Sequence, residues 1–363
     1  MNRRYVIAAG ATILVLLAAL AFIYRGQNEL LLPPGPSRSP TPTPVPTPAS
    51  SPIPMHEVYV ANPGDHSILG YAMDSNGQVA ANPTRVIQGP NTGLQNPFDV
   101  VTDSEERIYV ANMGDPPGRG STVTVYRATA NGNVTPNRTL GLFESEPSLQ
   151  KATSVAIRPR PEAVLVADQP HPAPGAGQIM EFSTTAGQDN PVRIIRGAAT
   201  QLESVAGIGL DALQRIHVVD TRQARILIYR TAPPSGIVDL PAEAIIEGGA
   251  TGLNNPIDAA VDADGNIFVV NRGSFNPGVQ DASITVYAAG AIGDVAPVRA
   301  IGVSGSPNAN LIAPVGIAVD AGGRIFLLQS SSLKIFAAGA SGDPAPVQVI
   351  SRTINGPGGI WVR

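Results

Sequence analysis

The stretch "PGGIWVR", Pro357–Arg363, decides the fold. It repeats the form of five earlier stretches: "PFDVVTD" from Pro97, "ATSVAIR" from Ala152, "VAGIGLD" from Val205, "PIDAAVD" from Pro256 and "PVGIAVD" from Pro314. Each earlier copy is followed by a second apolar run ("RIYVAN", "AVLVAD", "RIHVVD", "NIFVVN", "RIFLLQ") and a third ("TVTVY", "QIMEF", "RILIY", "SITVY", "LKIF"), then by a fourth near a Pro-x-Arg-x-Ile element. Four short strands recurring at roughly 50 to 60 residues predict the blade of a β-propeller. After Pro357 the sequence stops where a second strand is due, and that strand stands near the other end as "EVYVAN", Glu57–Asn62, followed by "SILGY" and "TRVI". The two ends therefore complete one blade. The expected fold is all-β: a six-bladed propeller of four-stranded antiparallel blades, closed by pairing the C-terminal strand with the N-terminal strands of the same blade, which leaves no gap in the ring.

Composition agrees with many short strands and tight turns. Gly (38) and Pro (35) are abundant and aromatic residues make up only 5%, whereas long helices would need fewer of the first two. The net charge of −4 comes with no basic stripe, which argues against a nucleic-acid partner. There is no Cys, so disulfides, thiol catalysis, Cys-based zinc sites and a lipoprotein thiol are all excluded.

The N-terminal segment bears on location. Asn2-Arg3-Arg4 precedes an uncharged, mostly apolar run from Tyr5 to Tyr24, long enough at 1.5 Å per residue to span about 30 Å of hydrocarbon. Residues 1–25 are expected to be a signal anchor that crosses the cell membrane once, with the arginines inside and the remainder outside the cytoplasm. The alternative is a signal peptide cut after Ala19-Leu20-Ala21, which would release a secreted protein; the apolar run is longer than the usual signal-peptide core of about 7 to 15 residues. Residues 26–54, containing "PPGPSRSPTPTPVPTPASSPIP", read as an extended polyproline stalk, and residues 55–363 as the propeller.

The pattern Pro-x-Gly-Ile-Ala-Val-Asp, then Gly-x-Ile-Phe/Tyr-Val-Ala/Val-Asn, then a strand ending in Val-Tyr, resembles the NHL-repeat family of six-bladed propellers over Glu57–Arg363. That family is similar in turn to the gluconolactonase and regucalcin type. The second resemblance implies a metal held around the central channel by carboxylates and Asn, although its full ligand set has no match here. An export segment, a Pro-rich stalk and such a propeller together also resemble the outer sensor half of some bacterial receptor kinases. The 363 residues contain no kinase sequence, and only about four of them are expected inside the cell.

The repeat register sorts residues onto faces. The innermost strands carry small residues at Val101, Ala156, Gly209, Ala260 and Ala318, and the sixth copy places Trp361 there, expected as a plug at the closure seam. Connections between the second and third strands, and those leading into the innermost strand, share one face, termed the top. Turns from first to second strand, such as Asp262–Asn266, lie on the bottom, where both chain ends of the propeller also fall. An anchored propeller would thus present its top away from the membrane.

At the channel mouth the third motif position reads Asp99, Ser154, Gly207, Asp258, Gly316 and Gly359. Asp99 and Asp258 fall three blades apart, facing each other. They are the candidate metal ligands, able to hold a hydrated Ca²⁺ or Mg²⁺, or alternatively caps for backbone N–H groups at their own strands. A second ring, Asn62, Asn112, Asp168, Asp220, Asn271 and Gln329, ends the second strands; with Ser154 it forms the candidate ligand face, or it closes turns through side-chain to backbone bonds.

Other motifs dissolve. Asp262-Ala-Asp264-Gly265 begins like a calcium loop, but the twelfth position is Gly273 where a bidentate Glu is needed. His217 occupies the slot of Tyr109, Phe268 and Phe326, as a packing residue would, and no serine nucleophile elbow is present. The top loops "MGDPPGRGST", "QPHPAPGAGQ" and "RGSFNPGVQDAS" of the second, third and fifth blades are long, and such loops commonly carry recognition. The expectation is a binding scaffold, without a catalytic constellation or organic cofactor, that takes a protein, glycan or small ligand on its top face. The alternative is a metal-dependent hydrolase or lactonase with Asp99 and Asp258 as channel ligands.

Overall fold

The computed structural model describes residues 56–114, 120–141, 148–170, 177–185, 187, 189–230, 235–274, 281–302, 306–330, 332–351 and 354–363. The expected anchor and stalk, His171 and the tips of the three long top loops lie outside the described residues. Among the described residues no helix is long and apolar enough to cross a membrane. All the described strands belong to the unit Pro52–Arg363.

Six sheets make the six blades. Blade 1 runs from the centre outward as Ile360–Val362, Glu57–Asn62, Ser67–Ala72 and Arg85–Gln88. The innermost strands of blades 2 to 6 are Pro97–Thr102, Ala152–Pro159, Val205–Leu210, Pro256–Val261 and Pro314–Val319. These strands touch in sequence, and the last touches Ile360–Val362, which in turn touches Pro97–Thr102, so the ring is closed. Within blade 1, Val58 pairs with Val362 and Val60 with Ile360, the join expected from the two ends of the sequence.

Second and third strands are buried along their whole length in blades 2, 4 and 5 and along nearly all of it in the others, because each blade packs both faces against its neighbours. Apolar clusters accordingly bridge blades: Val101, Tyr109 and Val125 of blade 2 pack with Val155, Val164 and Met180 of blade 3. Trp361 sits at the seam, packed against the clusters on both sides of blade 2, and its Nε1 donates to Thr102 Oγ1 at 3.0 Å. His217 is buried in the slot that Tyr109 fills in blade 2. Its Nε2 lies 3.3 Å from Asp211 Oδ2, as the Tyr109 hydroxyl lies 2.9 Å from Asp103 Oδ2. Burial pushes its pKa down, although Asp211 opposes this.

Outer edges are covered by the next blade. Gly132, Gly293 and Gly342, in connections between third and fourth strands, bridge in parallel to Ile87, Ile246 and Ile301 on the preceding blade. The residue after each glycine then accepts from that blade's backbone: Asn133 from Asn91 at 2.8 Å, Asp294 from Ala250 at 2.7 Å and Asp343 from Ala309 at 2.8 Å. In blade 4 the same connection extends into a fifth strand, Gly236–Val238, parallel to Pro191–Ile195 of blade 3. The repeat pattern predicts four strands per blade; this addition comes from the edge that an exposed outer strand would otherwise present.

Candidate functional site

The two channel carboxylates clasp neighbouring blades. Asp99 Oδ1 accepts the Val100 N–H at 2.8 Å, while Oδ2 accepts from Ser154 Oγ at 2.8 Å and from the Val155 N–H at 2.9 Å, both in blade 3. Asp258 repeats the arrangement: Oδ1 accepts from Ala259 N at 2.9 Å and Oδ2 from Ile317 N of blade 6 at 2.9 Å. Ser154 does the same for blade 4, accepting from Ile208 N at 3.2 Å. Each carboxylate also fills the space over a glycine of the preceding blade: a methyl group on Gly359 would overlap Asp99 Oδ1, and one on Gly207 would overlap Asp258 Oδ1. This accounts for the glycine that precedes each aspartate around the ring at the third motif position.

Both groups lie deep in the ring with part of their surface open to the channel. Burial raises the Asp99 carboxyl from 3.8 to about 6 against the pull of its three hydrogen bonds. Burial and the charge of Asp99 hold the Asp258 carboxyl well above the usual range. A carboxyl raised in this way binds its proton more tightly folded than unfolded. Stability from the pair is therefore fully present below the unfolded pKa and falls as pH rises through the folded one. Between about pH 4 and 6 the melting temperature of the wild type is expected to fall relative to that of the Asp99→Asn/Asp258→Asn variant. Parallel pH profiles in thermal unfolding would contradict the assignment.

The second ring is buried and engaged with backbone. Asn62, Asn112, Asp220, Asn271 and Gln329 accept from the N–H of Asn355, Gln95, Ser204, Asn254 and Ile312 respectively, and Asp168 accepts from Gln150 and Lys151. All six are 5% exposed or less. They thus pin the connection that enters each innermost strand, which is a different connection from the turn that follows them in sequence.

A pocket of about 210 Å³ opens on the same face. It is lined by Phe98, Thr153, Ala206, Ile257 and Val315, each the residue after the first of its motif. In all five strands the ladder with the second strand shifts register at this point, as between Pro97 and Asp99. A β-bulge leaves one residue unpaired and turns its side chain out of the alternation; here it turns five toward the channel mouth. In blade 1 the corresponding residue is Gly358, where a methyl group would collide with the Phe98 carbonyl. Met113, Gln169 and Arg272, the first residues of the three long top loops, also line the pocket, as does Lys151. Neither Asp99, Asp258, Ser154 nor any member of the second ring does. Sequence alternation points to the third motif position and misses the second, because a bulge has no signature in hydrophobic period. Among the described residues no group of three or more His, Cys, Asp or Glu side chains is placed to hold a metal.

No known family model matches the sequence, and no curated protein matches it. Solved structures do. A protein of unknown function from Bacteroides caccae superposes with a TM-score of 0.54 at 10% identity, covering 85% of this chain and 98% of its own. The periplasmic gluconolactonase of Pseudomonas aeruginosa gives 0.54 at 13% identity over 85% and 98%. A putative 6-phosphogluconolactonase from Bacteroides fragilis gives 0.53 at 13% over 86% and 85%. At these identities the likeness shows a shared β-propeller fold.

Proposed function

We propose that the chain is an extracytoplasmic, membrane-tethered propeller of the NHL-like kind whose top face binds a ligand. The observation that carries the reading is the pocket at the channel mouth, built by five bulged residues and rimmed by the roots of three long loops. Five strands depart from regular pairing at one level of the ring, and all five departures supply pocket wall. The bottom face, where the chain enters the first blade at residue 56 and Arg363 N donates to Glu57 O at 3.0 Å, is the face toward a tether.

The second reading, a metal-dependent lactonase, draws on the names of two structural neighbours and on the paired carboxylates. Asp99 and Asp258 would hold the ion through lone pairs left after their backbone bonds, with water supplying the remaining oxygens that Ca²⁺ or Mg²⁺ requires. Such an ion would polarise a lactone carbonyl. The residues present fit this poorly: Asp99 Oδ2 already accepts two hydrogen bonds, and among the described residues no third His, Asp or Glu joins the pair.

Thermal unfolding of the full-length chain against a small-molecule collection separates the two. A ligand at about a hundred times its Kd stabilises by about 2.7 kcal/mol. Stabilisation that saturates and is lost in Ala206→Trp, which fills the pocket, is the expected result. Stabilisation by Mg²⁺ or Ca²⁺ lost in both Asp99→Asn and Asp258→Asn would move the lactonase forward, and the absence of any saturable ligand would retire the binding reading.

A further inference from the structure

Resting on that binding reading, we infer that the pocket takes a small organic carboxylate with an apolar body, held by Lys151 and Arg272 at its charge. The wall divides by chemistry. Lys151 and Thr153 of blade 3, Ser204 and Thr221 of blade 4 and Arg272 of blade 5 form a polar arc; Phe98, Met113, Ile257 and Val315 supply the apolar remainder. Among the described residues no acidic residue lines it.

Most other partly buried cations in the ring are partnered. Arg85, Arg107, Arg138, Arg158, Arg193, Arg215, Arg225 and Arg324 are partly or fully buried and each pairs with a carboxylate, while the buried Lys334 donates to the Ala309 and Asn310 carbonyls. Arg299, which has no carboxylate, donates to the Ala340 carbonyl and lies over the Phe268 ring, and Arg196, with no side-chain partner among the described residues, lies outside the pocket. Lys151 and Arg272 are also partly buried, yet among the described residues neither side chain makes an ion pair or hydrogen bond. Their backbones are held: Lys151 N donates to Asp168 Oδ1 at 2.7 Å and Arg272 N to Asn255 O at 3.1 Å. The Asp168 carboxylate beside Lys151 is turned into the blade, accepting from backbone and from Gln178. A half-buried cation without a partner is costly unless an anion completes it, and Arg with carboxylate is the pairing with the best geometric match.

Size bounds the body. A dry cavity of about 150 Å³ admits benzene, so about 210 Å³ suits a single ring or branched chain carrying one carboxylate. It is smaller than the 300–1,000 Å³ typical of drug-sized sites.

Calorimetry on the full-length chain with phenylacetate, its neutral analogue phenylacetamide, and acetate tests this. The expected result is saturable 1:1 binding of phenylacetate, at least ten-fold tighter than of phenylacetamide or acetate and weakened by added NaCl. Lys151→Gln and Arg272→Gln are each expected to weaken phenylacetate about ten-fold without weakening phenylacetamide, with unchanged melting temperatures confirming that both variants fold. Equal binding of acid and amide, or insensitivity to both substitutions, overturns the charge assignment and leaves the binding reading intact. If phenylacetate fails to bind while other ligands sensitive to Ala206→Trp are found, the carboxylate inference falls alone; if no ligand is found, both fall.

Discussion

Glu181→Ala is expected to lower the stability of the propeller by about 3–5 kcal/mol. Glu181 lies in the third strand of blade 3, where Oε1 pairs with Arg158 Nη2 and Oε2 accepts from Arg158 Nη1 at 3.0 Å and from Arg193 Nη1 at 2.9 Å. The three side chains are only 3%, 5% and 6% exposed for Arg158, Glu181 and Arg193. Burial already pulls the Arg193 pKa down, and Glu181 is the charge that opposes it. Removing the carboxylate leaves two guanidinium groups without their counter-charge in an interior that solvates them poorly. Glu181→Gln keeps the shape but not the charge and is expected to cost less. Replacing all three groups together, by Arg158→Met, Glu181→Leu and Arg193→Met, should recover most of the loss, since an apolar cluster of similar volume often matches a buried ion network. Urea denaturation reads each value; a loss below about 1 kcal/mol in Glu181→Ala would mean that water reaches the arginines.

The ring closure supplies the second large effect. Gly358 N donates to Ala61 O at 2.9 Å inside blade 1, and Gly359 N donates to Phe98 O at 2.6 Å, joining blade 1 to blade 2. A methyl group on Gly358 would occupy the position of that same Phe98 carbonyl. Because the obstacle is backbone held in a hydrogen bond, no rotamer change relieves it. Gly358→Ala is expected to cost about 3 kcal/mol or more, at the upper end of overpacking effects. Gly249→Ala, with open space around the new methyl group, should stay within about 0.5 kcal/mol. Similar denaturation midpoints for the two variants would refute the account of the seam.

Much of the architecture is legible in the sequence because it is repeated. Six copies of one strand, the last lacking its partner, leave few arrangements other than a closed ring. The site is less legible, for three physical reasons. Asp99 and Asp258 stand out as charged residues in an apolar strand, but their alignment with the N–H groups of the following blade depends on how blades stack, which no single repeat encodes. The pocket residues Phe98, Ile257 and Val315 occupy positions that alternation assigns no special direction, and only the bulge before each Asp99-type position turns them to the mouth. Lys151 and Arg272 belong to different blades and are some 120 positions apart. Their common pocket is a product of ring geometry. The outer clasp through Asn133, Asp294 and Asp343 is the intermediate case: the recurring Gly-Asn/Asp pair is visible in the sequence, yet its partner lies in the blade before.

The seam also determines how the domain carries load. A pull applied through residue 56 enters Glu57–Asn62, a strand with a neighbour on each side: Ser67–Ala72 in a six-residue register and Ile360–Val362 in a three-residue one. Traction along that strand's axis acts on both ladders in shear, so their hydrogen bonds are strained together instead of peeling one after another. A propeller whose first strand lay at the outer rim would have met the same force with one flank only.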